Sequence, residues 1–306
     1  MEYEIRDIIN ELNRDPVNYL SVCEEHYESQ ITLAAERIYS GIAKRPIVLL
    51  TGPSGSGKTT TAIKLTDALK KQGIGSVCIS MDGYYKDYEP ETAPRTPDGE
   101  RDMESPLCLD LEYMAQQFVE LSEGKEVIIP SYDFKKERRN PNKGKRLRLG
   151  EGEVAIFEGI HALNEMVTEF NGVDAFKLYV SVNSDVTDEN GNVIYDPRTA
   201  RLLRRIIRDN SYRAAAPEYT LALWPNVIRG EDLYISPKRS RADMEIDTFM
   251  PYETSVMRTY ALPLIRNIPE MREICERLAL FPKIENSMIQ ADSLLREFIG
   301  GGIYKY

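Results

Sequence analysis

The sequence is poor in residues that carry several common kinds of chemistry. It has two histidines, His26 and His161, and four scattered cysteines without a CxxC pair. A zinc site, a disulfide framework and most histidine-based triads are therefore excluded, and a reducing compartment is expected. No apolar run approaches the roughly 18 residues of a membrane span, and the start of the chain does not resemble a secretory signal. We therefore expect a cytoplasmic protein with no membrane partner.

Positive charge is also scarce. The 306 residues include 39 Lys and Arg against 49 Asp and Glu, so the net charge is -10. Proteins that coat nucleic acid are usually basic overall, so that class of partner is disfavoured. Residues 135–148 hold eight Lys or Arg. We interpret this basic stretch as a solvated hairpin beside a substrate pocket rather than a nucleic-acid patch, because the rest of the chain is acidic.

Short β-branched apolar runs alternate with helical patterns from residue 45 onward. The predicted strands are 46–51, 76–81, 127–129, 154–157, 176–182 and 243–249. The predicted helices are 59–71, 109–121, 197–208 and 252–278. This alternation predicts an α/β fold with a parallel sheet covered by helices on both faces. Residues 1–44 predict two or three short helices, with Pro16 ending the first, whereas 210–242 look irregular and polar.

One motif is complete. Gly52-Pro53-Ser54-Gly55-Ser56-Gly57-Lys58-Thr59 fits GxxxxGK[ST] and lies between a predicted strand and a predicted helix. Glycines let the backbone fold so that several N–H groups point at phosphate oxygens, and the helix adds the positive end of its dipole. Lys58 can reach the β- and γ-phosphates, and the Thr59 hydroxyl can hold Mg²⁺. The sequence therefore predicts an ATP and Mg²⁺ site at residues 52–60.

Two missing signatures narrow the class of nucleotide-binding protein. Asn142-Lys143-Gly144-Lys145 lacks the Asp of the base-reading NKxD motif, which disfavours a GTPase. Asp133-Phe134-Lys135 is not the DFG of protein kinases. A small-molecule kinase and a motor-like ATPase remain.

Two carboxylates follow predicted strands. Asp82 comes directly after 76–81, and Glu158 directly after 154–157. Ligands of open α/β sheets bind at the carboxyl ends of the strands. Asp82 could there accept the proton of an acceptor hydroxyl, and Glu158 could hold Mg²⁺. A turn aspartate and a strand-end ion pair are the alternatives.

The helix predicted from residue 197 is rich in arginine. Arg201, Arg205 and Arg208 fall on one face, and Arg213 lies just beyond the helix. Clustered guanidinium groups suit phosphate and could close over ATP, with Arg201 and the phosphate loop holding the nucleotide. A solvated face with local ion pairs is the alternative.

Together these segments resemble uridine–cytidine kinases of the phosphoribulokinase/uridine kinase group, from about Ile47 to Phe249. The resemblance rests on the order of the phosphate loop, an Asp-x-x-Tyr segment, Pro-x-Tyr-Asp-Phe, Phe-Glu-Gly-Ile and an Arg-Arg-x-x-Arg-Asp helix. The tail 293–301 and Ala222-Leu223-Trp224-Pro225-Asn226 look like a bacterial nucleoside kinase branch. The resemblance implies an extension at 1–44, a kinase domain at 45–282 with a lid at about 197–242, and a helical tail at 283–306.

The resemblance also implies roles for single residues. Asp82 would be the general base for a ribose 5′-hydroxyl, with Lys58, Arg205 and Arg208 around the transferred phosphoryl group. The residues that would contact the nucleoside are Tyr85, Glu104, Tyr132, Phe134, Glu137, Ile160, Arg205 and Arg213. Two positions depart from the family pattern: Glu137 stands where a His often reads the pyrimidine edge, and Arg213-Ala214-Ala215 replaces Arg-Gly-Arg.

The sequence thus predicts an ATP-dependent nucleoside kinase of pyrimidine salvage, working as a monomer or homo-oligomer. The first alternative is a kinase of the same fold that acts on a sugar phosphate or a pantothenate-like alcohol. The second is a nucleotide sensor without turnover, which would not need the base Asp82.

Overall fold

The computed structural model describes residues 2–140, 142–168 and 174–305, so Pro141 of the basic stretch lies outside it. The strands are β1 (Glu2–Glu4), β2 (Ile47–Thr51), β3 (Ser76–Ser80), β4 (Val127–Ile129), β5 (Tyr132–Asp133), β6 (Arg138–Arg139), β7 (Lys145–Leu147), β8 (Val154–Glu158), β9 (Ala175–Ser181), β10 (Asp185–Thr187), β11 (Val193–Tyr195) and β12 (Met244–Asp247). The α-helices are α1 (Ile5–Arg14), α2 (Pro16–Gly41), α3 (Lys58–Lys71), α4 (Leu111–Ser122), α5 (Glu165–Thr168), α6 (Pro197–Arg213), α7 (Pro217–Gly230), α8 (Glu253–Tyr260), α9 (Leu262–Ile265), α10 (Arg272–Leu278) and α11 (Arg296–Ile299).

Five strands form a parallel sheet in the order β12-β9-β2-β8-β3. This confirms the predicted α/β fold of the P-loop type. Glu158 at the end of β8 lies in register with Leu50 on one side and Ser80 on the other. The carboxyl ends of β2, β8 and β3 therefore meet at one edge, where the phosphate loop and Asp82 follow.

Helices cover both faces of the sheet, and each face has its own apolar core. Alternate residues of β2 point to opposite faces, so Val48 and Leu50 join one core while Ile47 and Leu49 join the other. All five residues of β2 are buried, as expected for a strand covered on both sides. Within the described residues, no helix is both long and apolar enough to cross a bilayer.

The N-terminal residues form a short helix and a long one. Pro16 does separate them: it occupies the first turn of α2, and Asp15 caps that helix by accepting from the Asn18 N–H at 3.1 Å. Contrary to the prediction of short helices only, α2 runs for 26 residues. Its Tyr27 hydroxyl lies 2.7 Å from the Thr61 hydroxyl of α3, so the extension packs directly on the phosphate-loop helix.

Two stretches differ from the prediction. Residues 210–242 were expected to be irregular, yet α6 continues to Arg213, α7 follows, and a π-turn and a 3₁₀-helix complete the stretch. Polar residues and prolines hid this pattern, although Pro217 opens α7 and Pro225 is tolerated inside it. The single helix predicted at 252–278 is instead broken into α8, α9, a 3₁₀-turn and α10, with Pro263 and Pro269 at the starts of two pieces.

A buried ion pair joins α6 to α8. Arg204 Nε donates to Glu253 Oε1 at 2.8 Å, and neither side chain is exposed to solvent. We expect Glu253→Gln to lower the free energy of unfolding by about 3–5 kcal/mol, because it leaves a buried guanidinium without its counter-charge. Chemical denaturation would measure this change.

The matched control is Glu276→Gln, which breaks an exposed pair with Arg272 on α10. Solvent screens that pair, so its loss should change the unfolding free energy by less than about 1 kcal/mol. Equal effects of the two substitutions would contradict a structural role for the buried pair.

Candidate functional site

The phosphate loop follows β2 and leads directly into α3. Gly55 and Gly57 have φ of 77° and 83°, a region that favours glycine. The space around them is also restricted: a Cβ on Gly55 would lie 2.8 Å from the Arg201 carbonyl oxygen, and one on Gly57 would lie 2.6 Å from Leu294 Cδ1. The loop is therefore held between the lid helix α6 and the C-terminal tail.

A cleft of about 980 Å³ opens at this edge of the sheet. Lys58, Asp82 and Glu158 line it together. Lys58 Nζ donates to the Pro53 carbonyl at 3.1 Å, and burial lowers the pKa of this lysine although three carboxylates, those of Glu158, Glu297 and Asp82, oppose the change. The predicted phosphate lysine and the two predicted strand-end carboxylates thus lie in one cavity.

The carboxyl groups of Glu158 and Asp82 in the cleft have pKa values above their usual range. Burial raises the pKa of Glu158 to about 7, and Lys58 only partly offsets it. Water reaches Asp82, but the surrounding walls desolvate its carboxyl group, and this raises its pKa, whereas Lys58, Arg213 and Arg208 lower it. Perturbed carboxyl groups beside a phosphate loop are typical of a catalytic site.

The residues predicted to hold Mg²⁺ suit that ion. Thr59 and Glu158 both line the cleft and offer a hydroxyl and a carboxylate, the hard oxygen donors that Mg²⁺ prefers. No group of three or more His, Cys, Asp or Glu residues that could hold a metal occurs among the residues described.

Three of the predicted arginines face the cleft: Arg205, Arg208 and Arg213. The buried Asp209 holds all three, with Arg205 Nε at 3.2 Å, Arg208 Nη2 at 2.9 Å and Arg213 Nη1 at 3.5 Å. Arg205 also donates to the Ser54 hydroxyl at 3.0 Å, which links the lid to the phosphate loop. A cluster of positive charge therefore lies over the place where phosphates would bind.

Arg201 does not share this position. Its guanidinium donates to both oxygens of Glu231 at 2.8 and 2.7 Å, and only 2% of the side chain is exposed. It also donates to the Ser54 carbonyl of the phosphate loop at 3.3 Å. Arg201 therefore contacts the phosphate loop but does not line the cleft. The three-and-four spacing placed Arg201 beside Arg205, but the tight packing of α6 on the loop turns it away from the cleft.

Aromatic rings form one wall of the cleft. The rings of Tyr85 and Phe134 meet edge to face with centroids 5.3 Å apart, and Tyr132 lies 4.9 Å from Phe134. Tyr85 and Phe134 line the cleft, whereas Tyr132 lines a groove that adjoins it. Tyr84 belongs to the core, where its hydroxyl donates to Gln117 at 2.6 Å. The rings of Tyr85 and Phe134 are therefore the two in this aromatic group that can contact a ligand in the cleft.

Glu104 also lines the cleft, together with Ile160. Burial raises the pKa of Glu104 to about 7. A Cβ on Gly230 would overlap the Glu104 side chain, so α7 of the lid packs closely on the loop that carries this residue. Glu137 is placed differently: it pairs with Arg101 and does not line the cleft.

Sequence reasoning missed several residues that line the cleft, among them Lys135, Tyr212 and Glu297. This carboxylate, in the tail, accepts from the Thr60 N–H at 3.1 Å and from the Thr60 hydroxyl at 2.7 Å. It also lines the cleft. The sequence did carry a signal, because Arg296 and Glu297 are two charged residues between the apolar pairs Leu294-Leu295 and Phe298-Ile299.

The chain is similar in sequence to uridine kinases. The uridine kinase of Streptococcus pyogenes is 30% identical over 208 residues, which cover 66% of this chain and 88% of its own length. The uridine kinase of Macrococcus caseolyticus is 28% identical over 206 residues, covering 67% and 89%. The solved structure of phosphoribulokinase from Rhodobacter spheroides is 16% identical, with a TM-score of 0.45 over 66% of this chain and 69% of its own. Residues 47–255 match the Phosphoribulokinase / Uridine kinase family, and the chain therefore belongs to that family of phosphotransferases with alcohol acceptors.

Proposed function

We propose that this protein is an ATP-dependent nucleoside kinase that transfers the γ-phosphoryl group to the ribose 5′-hydroxyl. One observation carries the proposal: Asp82 and the phosphate-loop residue Lys58 line the same cleft, whose far wall is built from Tyr85 and Phe134. Both bacterial relatives are uridine kinases, which supports a pyrimidine nucleoside as the acceptor. We also propose that the protein acts in the cytoplasm, in pyrimidine salvage.

The mechanism depends mainly on positioning and charge. Lys58, Arg205 and Arg208 line the cleft, where they would surround the transferred phosphoryl group and stabilise the charge spread over its oxygens. Asp82 would orient the acceptor hydroxyl and take its proton, a role for which a raised pKa is an advantage. Mg²⁺, held by Thr59 and Glu158, would neutralise phosphate charge when bound.

The acceptor end favours a nucleoside over a sugar phosphate. Phe134 is half exposed at the cleft, so its ring is available to pack against a base. Glu104 provides a carboxylate that could accept from ribose hydroxyls but would repel a second phosphate. A sugar-phosphate acceptor would instead favour further basic residues at the acceptor site.

The function is tested by ADP release from ATP and Mg²⁺ with a panel of acceptors. The panel comprises uridine, cytidine, thymidine, adenosine, guanosine, ribulose 5-phosphate and pantothenate. We expect turnover with a pyrimidine nucleoside. Turnover with a non-nucleoside alone would overturn the acceptor assignment, and ATP binding without any turnover would favour a sensor.

Asp82→Asn should reduce turnover with the preferred nucleoside at least about 100-fold, because the amide cannot accept the hydroxyl proton. The affinity for ATP, measured by calorimetry, should change little. Asp87→Asn is the matched control: Asp87 lies five residues further along the same segment, accepts from the Arg139 N–H at 2.7 Å and does not line the cleft. Equal activity of the two variants would contradict the role of Asp82.

The activity should fall in weakly acidic solution. The pKa of Glu158 and that of Glu104 are raised to about 7 by burial, and that of Asp82 is raised as well. These groups act as carboxylates, so protonation as the pH falls through about 7 removes activity, by about tenfold per pH unit for a single group. We expect kcat/KM to show this acid limb, with the fold checked by circular dichroism. A flat profile down to about pH 5, near the usual range of carboxyl groups, would contradict the prediction.

A further inference from the structure

A second cavity, of about 460 Å³, adjoins the phosphate cleft. The residues common to both cavities are Thr59, Arg208, Tyr212, Arg213 and Glu297. The acceptor-side residues Asp82, Tyr85 and Glu104 line the first cavity and not the second. The second cavity is therefore reached past the start of α3, on the side of the phosphates that faces away from the acceptor.

The direction of the donor follows from these positions. Lys58 reaches the β- and γ-phosphates of a nucleotide on a phosphate loop, and the γ-phosphate must face Asp82 for transfer. The remainder of the donor must then extend away from Asp82. Past Thr59, the second cavity continues the cleft in that direction, and its volume lies in the usual range for small-molecule sites.

The C-terminal tail forms one wall of this cavity and is fixed to the phosphate loop. Leu294 packs against Gly57, and Glu297 accepts from the N–H and the hydroxyl of Thr60. Phe298 is fully buried, with Arg204 lying 5.3 Å from its ring centroid. The wall is therefore already in place before a ligand binds, which lowers the entropy lost on binding.

The chemistry of the wall suits a flat heteroaromatic ring. Gly300, Gly301 and Gly302 line the cavity. The Gly300 N–H donates to the Arg296 carbonyl at 2.9 Å and the Gly300 carbonyl accepts from Arg296 Nη1 at 3.1 Å, which leaves the peptide groups of Gly301 and Gly302 to face a ligand. A Cβ on Gly300 would overlap the Tyr212 hydroxyl, so the bare backbone is needed for the tyrosine to lie where it does. Tyr212 is 59% exposed and lines both cavities. Its ring can stack on a base, while peptide N–H and C=O groups can bond to the edge of that base.

We propose that Tyr212 and the tail residues Gly300–Gly302 form the binding site for the base of the phosphate donor. The nature of the ligand rests on the proposed kinase function. The glycine segment lies beyond residues 47–255, which match the family. The tail thereby becomes part of the donor site rather than an appendage.

The proposal is tested with two ligands that differ in whether they carry a base. The affinities of ATP and of inorganic tripolyphosphate, each with Mg²⁺, are measured by isothermal titration calorimetry on the full chain. Tyr212→Ala should weaken ATP binding by about tenfold through lost stacking, and leave tripolyphosphate binding unchanged. Tyr212→Phe keeps the ring and should bind ATP like the wild type.

The matched control is Tyr219→Ala on α7, because Tyr219 is 61% exposed and lines neither cavity. Unchanged ATP affinity in Tyr212→Ala would overturn the proposal, as would an equal loss for both ligands. The acceptor panel separates this outcome from failure of the proposed function. A wild type that binds ATP through Tyr212 but phosphorylates nothing would keep the base site and overturn the kinase assignment.

Discussion

The site depends on one buried guanidinium. Arg204 lies with no solvent exposure between four parts of the chain. It bonds the Gly55 carbonyl of the phosphate loop at 3.3 Å, the Thr248 carbonyl after β12 at 2.8 Å and the Glu253 carboxylate of α8, and it lies over the Phe298 ring. A buried charge is tolerated only when its hydrogen bonds are satisfied, so these partners are held in fixed positions. Arg204, which lies on α6, consequently fixes the positions of the phosphate loop and the tail relative to that helix.

That rigidity allows the cleft to bring together charges that would otherwise be unfavourable. Asp82, Glu158 and Glu297 all interact electrostatically with Lys58. Burial raises the pKa of Asp82 and that of Glu158, which favours the neutral form of each group. Opposite them lie the lid arginines, held by Asp209. The arginines and Lys58 provide positive charge that could balance the charge of a bound triphosphate. Preorganised charge of this kind is the main source of catalysis in phosphoryl transfer.

The sequence predicted the sheet well and the lid poorly, for physical reasons. Buried parallel strands such as Val154–Glu158 are continuous apolar runs, so they are recognised without tertiary information. The phosphate loop and Asp82 follow such strands, and their approximate position was therefore predictable. The helix α7 was missed because its sequence contains Pro217 and Pro225 and has charged residues near both ends. The helix also gains stability from packing on the loop that carries Glu104, which the sequence pattern does not reveal. Spacing alone also could not separate Arg201 and Arg204, which are buried, from Arg205 and Arg208, which face the cleft.

The two ends of the chain, which lie outside the matched family region, are coupled through a buried network. The hydroxyl of Tyr252, just before α8, donates to Glu24 of α2 and lies 3.1 Å from the Ser293 hydroxyl of the tail. Burial raises the pKa of Glu24, and the hydrogen bonds from Ser293 and Tyr252 oppose that change by stabilising its carboxylate. The N-terminal helix thus supports the segment that carries Leu294 and Glu297 to the phosphate loop. Both ends of the chain therefore belong to the structure around the phosphate loop, because α2 bonds to α3 through Tyr27 and is linked to the tail through Glu24 and Tyr252.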